Sequence, residues 1–188
     1  MRIEEVKKNF LIEVRWRAFP LHPETPEEGV TLEELFAGRN VDISAVLARL
    51  KRVAGELRLP WGERKKTYNS RLAQELGKWA ETQGKGDAFH DGAFRAYFVE
   101  GWNLAKKDVL IRLAASVGLV EKGAREVLET RRFKEFVDED WRLSRQWGIT
   151  AVPTFVTDGA GLVGAQPYEK LAEFLRKQKI PERQASRT

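Results

Sequence analysis

The sequence predicts an α/β fold, and three observations carry that prediction. Residues 11–17 alternate, with Ile12, Val14 and Trp16 on one side and Glu13, Arg15 and Arg17 on the other, the period of a strand buried on one face. From residue 42 to about residue 147, apolar side chains instead recur at helical spacing through several segments. Further on, Phe155 and Val156 precede the turn residues Asp158-Gly159-Ala160-Gly161, and Leu162 and Val163 follow them. That is the pattern of two short strands joined by a tight hairpin.

Each element has its own local reason. Residues 2–10 place Ile3, Val6 and Phe10 at helical spacing, as in the last turns of a helix. After the strand at 11–17, Pro20, Pro23 and Pro26 bracket His22 in a stiff loop. Asp42 is placed to cap a helix with Ile43, Val46, Leu47 and Leu50 on one stripe, broken by Leu57-Arg-Leu-Pro-Trp61. Asn69 or Ser70 caps the next, whose Leu72, Leu76, Trp79 and Ala80 face inward until Gly84-Lys-Gly86. Phe89, Ala93, Phe94, Tyr97 and Phe98 form an aromatic stripe that reads as core. Asp108 is expected to cap a helix closed by Gly118, and a shorter helix carries Ala124, Val127 and Leu128. Phe133, Phe136, Val137, Trp141, Ser144 and Trp147 keep step in the last helix of the block, and Gly148 stands where a left-handed cap belongs. Pro167 then opens a helix with Leu171, Phe174 and Leu175 on its apolar face.

Composition narrows the function classes. A 188-residue chain with 42% hydrophobic and 32% charged residues suits one domain carrying an insertion. No apolar run reaches membrane-spanning length, and the charged first residues do not form a secretion signal. A cytoplasmic protein with no membrane partner is therefore expected. The net charge of +5 comes from 33 Lys and Arg dispersed among 28 Asp and Glu. Only Arg64-Lys65-Lys66 and Arg131-Arg132 cluster, and both read as solvated helix ends, so no nucleic-acid partner is expected. His22 has no second histidine or carboxylate cluster at metal spacing, which argues against a metal site. The chain contains no cysteine. It cannot itself supply a disulfide, a thiolate nucleophile or a thiolate metal site.

The order of elements is helix, strand, long helical block, helix, strand, hairpin, strand, helix. That is a thioredoxin-like plan interrupted by a large all-helical insertion, with the first strand missing. The expected organisation assigns residues 1–40 and 131–180 to the thioredoxin-like domain, 41–130 to the insertion and 181–188 to a flexible tail.

Five stretches in the same order resemble the DsbA family, in particular its FrnE-like branch. They are Val14-Arg-Trp-Arg-Ala-Phe19 with His22-Pro-Glu-Thr-Pro-Glu-Glu-Gly29, Asn69-Ser70 ahead of Leu72-Ala73, Phe94-Arg-Ala-Tyr-Phe98 with Glu100-Gly101, Gly148-Ile-Thr-Ala-Val-Pro-Thr-Phe155, and Gly164-Ala-Gln-Pro167. The kappa-class glutathione transferases and the 2-hydroxychromene-2-carboxylate isomerases share that architecture. The resemblance implies a thiol–disulfide oxidoreductase acting on a polypeptide or thiol substrate. It also implies that Pro153 matches the family's cis-proline, so that Val152, Pro153 and Thr154 meet the substrate. Trp147 and Phe155 read as packing residues.

The family's first strand and its Cys-X-X-Cys motif have no counterpart here, and a serine that replaces the cysteine in the isomerases and transferases is absent too. The redox reaction needs a thiolate at a helix N-terminus and a second thiol to resolve the mixed disulfide, so this chain alone is not competent for it. A missing central strand would leave two rows of backbone groups unpaired, at about 1–3 kcal/mol for each buried one.

Three expectations follow. In the first, the chain is a shortened form of a longer product whose start lies upstream of Met1. The second is a redox-inactive module whose strand at 11–17 shifts to pair with residues 154–157, or whose exposed strand edge binds a peptide or a second copy in a homodimer. The third is a glutathione-dependent isomerase or transferase, with glutathione as ligand and its γ-glutamyl carboxylate near Ala165 and Gln166 at a helix start.

Overall fold

The computed structural model describes residues 2–183. Its elements, in order, are α1 (Arg2–Asn9), β1 (Val30–Thr31), α2 (Leu32–Leu35), α3 (Ile43–Glu56), β2 (Lys66–Thr67), α4 (Arg71–Thr82), α5 (Gly86–Phe98), α6 (Lys107–Ser116), α7 (Glu121–Thr130), α8 (Lys134–Gln146), β3 (Thr154–Thr157), β4 (Ala160–Val163) and α9 (Tyr168–Lys177). The fold is mixed α/β, thioredoxin-like in class, with a large helical portion. The chain divides into two compact units: residues 1–21 with 140–188, and residues 22–139.

In the first unit, the helical spacing of Val6 and Phe10 puts both fully inside, against Leu171, Ala172 and Leu175 of α9. Burying a side chain such as Phe10 contributes about 1.5–3 kcal/mol. Ile12, Phe155 and Leu162 lean on the same cluster. The hairpin forms with Phe155 opposite Leu162 and Thr157 opposite Ala160. Its turn is shorter than the sequence suggests. Only Asp158 and Gly159 lie outside the strands, at φ 46° and 78°, the positive values that a two-residue loop between twisted strands requires.

The strand expected over residues 11–17 does not form. Burial alternates there as predicted, with Ile12, Val14 and Trp16 half-buried and the residues between them exposed. A strand, however, is made by its ladder. Among the described residues, 11–17 take part in no ladder, and the isolated bridge beside them joins Phe10, just ahead of the segment, to Glu182. The alternative pairing of 11–17 with 154–157 is absent as well, because β3 pairs with β4 alone among the described residues. Residues 181–183 run beside 9–11: the Leu11 amide donates to the Pro181 carbonyl (2.9 Å) and the Arg183 amide to the Asn9 carbonyl (2.8 Å). Those three residues are thus held, while the remainder of the expected tail lies outside the described residues.

In the second unit, α4, α5, α6 and α7 close around Leu76, Ala80, Leu110, Leu113, Ala114, Val127 and Leu128, all buried. Asp42 caps α3 as expected, its Oδ1 accepting from the Ala45 amide at 2.9 Å. Thr31 and Glu34 form a reciprocal capping box on α2. Asp108 does not cap α6; it sits in the first turn, where its charge suits the helix dipole. The aromatic stripe is only partly core: Phe89 is buried, while Phe94 is exposed and stacks on Phe98 at 5.6 Å. Arg131, expected as a solvated helix end, adopts a left-handed conformation beyond α7 and donates twice to Glu75 (2.6 and 2.7 Å). Arg71 donates to the same carboxylate at 2.6 Å.

Candidate substrate-docking site

The sequence-derived site residues all fall in the first unit, on the loop between α8 and β3, at the first residue of β3 and on the turn beyond β4. The loop begins where α8 stops. The Ile149 amide donates to the Ser144 carbonyl (2.9 Å) and the Gly148 amide to the Arg145 carbonyl (3.0 Å), with Gly148 at φ 64°. This 6→1 and 5→2 pair is the Schellman cap that glycine at this position permits. Trp147, expected to pack, is instead half exposed at the helix end.

The Val152–Pro153 peptide bond is cis. Two bonds fix the loop around it. The Thr154 hydroxyl donates back to the Ala151 carbonyl (2.6 Å), and the Gly164 amide donates to the Pro153 carbonyl (2.8 Å). Thr154 therefore shapes the loop from within, its hydroxyl spent on its own backbone.

Ladder alternation then decides which backbone groups are spoken for. Pro153 turns its carbonyl toward β4, and Phe155 and Thr157 follow it at the same phase. Thr154 and Val156 turn their backbone groups to the opposite edge, and Val152 stands just ahead of them across the cis bond. Among the described residues, none accepts from the Val152 amide or donates to its carbonyl. Val152 and Val156 are also exposed, at 46% and 37%. Val156 was not singled out by sequence; the phase of the ladder identifies it, and that phase needs the Pro153–Gly164 bond to be known.

Ala165 and Gln166 precede α9 instead of opening it. The Gln166 amide bonds the Gly164 carbonyl (2.8 Å) and its side chain donates to the Val163 carbonyl (2.7 Å). Pro167 takes the cap position of α9. No ionisable side chain lies between residues 148 and 157. His22 stands in the other unit, where burial first, then Arg39 and Arg64, hold its pKa below the ordinary value. The described residues contain no group of three or more potential metal ligands, and no described helix is long and apolar enough to cross a membrane.

What this arrangement can do is offer an extended backbone edge beside a proline on a thioredoxin-like hairpin; residues 148–157 hold no thiol. The profile of the DSBA-like thioredoxin domain matches residues 1–176, and the chain belongs to that family. The YwbO protein of Bacillus subtilis (strain 168) is 27% identical over 180 residues, which span 94% of this chain and 88% of that one. A probable DsbA oxidoreductase from Streptomyces coelicolor superposes with a TM-score of 0.85 at 26% identity, over 100% of this chain and 85% of that one. A 2-hydroxychromene-2-carboxylate isomerase (TM-score 0.62, 17% identity, 73% and 66% covered) shares the fold. So does the cytosolic disulfide reductase DsbM of Pseudomonas aeruginosa (TM-score 0.53, 24% identity, 72% and 76% covered).

Proposed function

We propose that this chain is the substrate-docking scaffold of a DsbA-family thiol–disulfide oxidoreductase, of the FrnE-like branch, and that it is redox-inactive by itself. The observation that carries the reading is the Val152 backbone beside Pro153, which has no hydrogen-bond partner among the described residues and stands just ahead of the outward edge at Thr154 and Val156. A polypeptide lying along that edge would make the two backbone bonds per alternate residue that strand addition provides. Sulfur chemistry would come from thiols outside these 188 residues, since they contain none. Glutathione, as a small thiol peptide, would meet the same edge and extend toward Ala165 and Gln166, next to the Gly164 that bonds Pro153.

The test is an amide-resolved NMR titration with an unfolded, S-alkylated polypeptide, and separately with reduced glutathione. The Val152, Thr154 and Val156 amides are expected to shift together on saturation, and the chain alone is expected to leave the rate of disulfide exchange unchanged. Saturable binding that leaves those three amides unmoved, or disulfide turnover by the cysteine-free chain, would overturn the proposal.

A further inference from the structure

Helix α3 buries fewer of its residues than α4, α5, α6 or α7 does. Of its fourteen residues only Ala54 is buried, although Ile43, Val46, Leu50, Val53 and Leu57 recur at alternating spacings of three and four. That is the seam of a two-stranded coiled coil. Its open side is visible in the exposure of Val46, Leu50 and Leu57 (45%, 41% and 40%), while Ile43, Leu47 and Val53 are half-buried. A helix with this pattern in water leaves apolar area uncovered that a partner helix would bury.

The flanking charges choose the partner. Asp42, Arg49 and Glu56 follow one another at seven-residue spacing along one margin of the seam. Arg49 makes no ion pair among the described residues, and Glu56 accepts only from the exposed Arg52 at 2.6 Å. A parallel copy would face unlike margins without a symmetric match. An antiparallel copy, related by a two-fold axis between residues 51 and 52, stacks Val46 on Leu57 of the partner subunit and Leu50 on Val53 of the partner subunit. The same operation brings Arg49 beside Glu56 of the partner subunit twice over and opposes the helix dipoles.

We infer that α3 is a self-association surface, pairing antiparallel with α3 of a second copy of this chain. The overlap is only about three helical turns, so the association is concentration-dependent instead of obligate. It is independent of the docking edge on β3.

Sedimentation equilibrium from micromolar to near-millimolar protein tests it. The mass is expected to rise toward twice that of the chain, and Leu50→Glu, at an exposed position, is expected to abolish the rise with an unchanged circular dichroism spectrum. Arg49→Glu alone should weaken association at least tenfold, and Arg49→Glu with Glu56→Arg should restore it, because the pairs reappear reversed. Since the chain has no cysteine, mixing equal amounts of Leu50→Cys and Val53→Cys under mild oxidation reads orientation directly: the mixed disulfide should far exceed the twofold ratio over each symmetric one that random pairing gives. A strict monomer throughout, an unaffected Leu50→Glu dimer, failure of the double charge reversal, or mixed cross-links at or below that statistical ratio each overturns the inference.

Discussion

Replacing Glu75 by Gln removes one charge from the middle of the helical unit while keeping its shape. The wild-type carboxylate is 1% exposed and accepts three short bonds, from Arg131 Nε and one Arg131 Nη (2.6 and 2.7 Å) and from Arg71 Nε (2.6 Å). A hydrogen bond to a charged group contributes about 1.5–3 kcal/mol net, and stripping one partner from a buried pair costs about 3–5 kcal/mol. Two features lower that figure here. Arg131 is 40% exposed and can be rehydrated, and Arg71 keeps its 2.7 Å pair with Asp138. The expected loss is therefore about 2–3 kcal/mol at pH 7. Urea unfolding followed by tryptophan fluorescence reads it as a lower midpoint at constant slope.

The pH dependence supplies the sharper check. Burial, the largest single influence on Glu75, raises its pKa, but the bonds and charges of Arg131 and Arg71 together outweigh burial and hold it below the ordinary carboxylate value. A depressed folded pKa gives stability that is present above the unfolded value of about 4.3 and is lost as pH falls through the folded value. The gap between wild type and Glu75→Gln must therefore narrow only below about pH 4. A gap under about 0.5 kcal/mol at pH 7, or one that does not narrow in acid, would refute this account of the network.

Other outcomes follow from packing and backbone. Leu110→Ala, at a fully buried position between α6 and its neighbours, should cost about 2–5 kcal/mol in the same denaturation experiment. Gly148→Ala meets no atom nearby but must keep a positive φ, so about 1–2 kcal/mol is expected from the left-handed backbone alone. Gly62→Ala is worse for a different reason: its Cβ would overlap the Val99 carbonyl oxygen, and a thermal midpoint lower than that of Gly148→Ala is expected.

Much of the architecture was legible because it is local. The spacing of Val6 and Phe10, the cap at Asp42, the glycine at 148 and the Asp158-Gly159 turn each depend on neighbours within one turn of chain. What escaped depends on pairing across the sequence. Residues 11–17 kept their alternation without a ladder, since nothing in a single segment reveals its neighbour. β1 and β2 contribute two residues each, too few to show a period. The Glu75–Arg131 contact spans 56 positions, and the pair of Asp140 with Arg17 spans 123. Flanking motif residues pointed to Val152 and Pro153 by resemblance, whereas the outward edge at Val156 follows only from the phase of the hairpin.

The ring that Thr154 closes onto Ala151 makes the display of Val152 self-supporting. Its architecture draws on a hydroxyl, a carbonyl and a neighbouring glycine, and on no sulfur at all. The form of this turn is therefore fixed by bonds among residues 151–164 themselves.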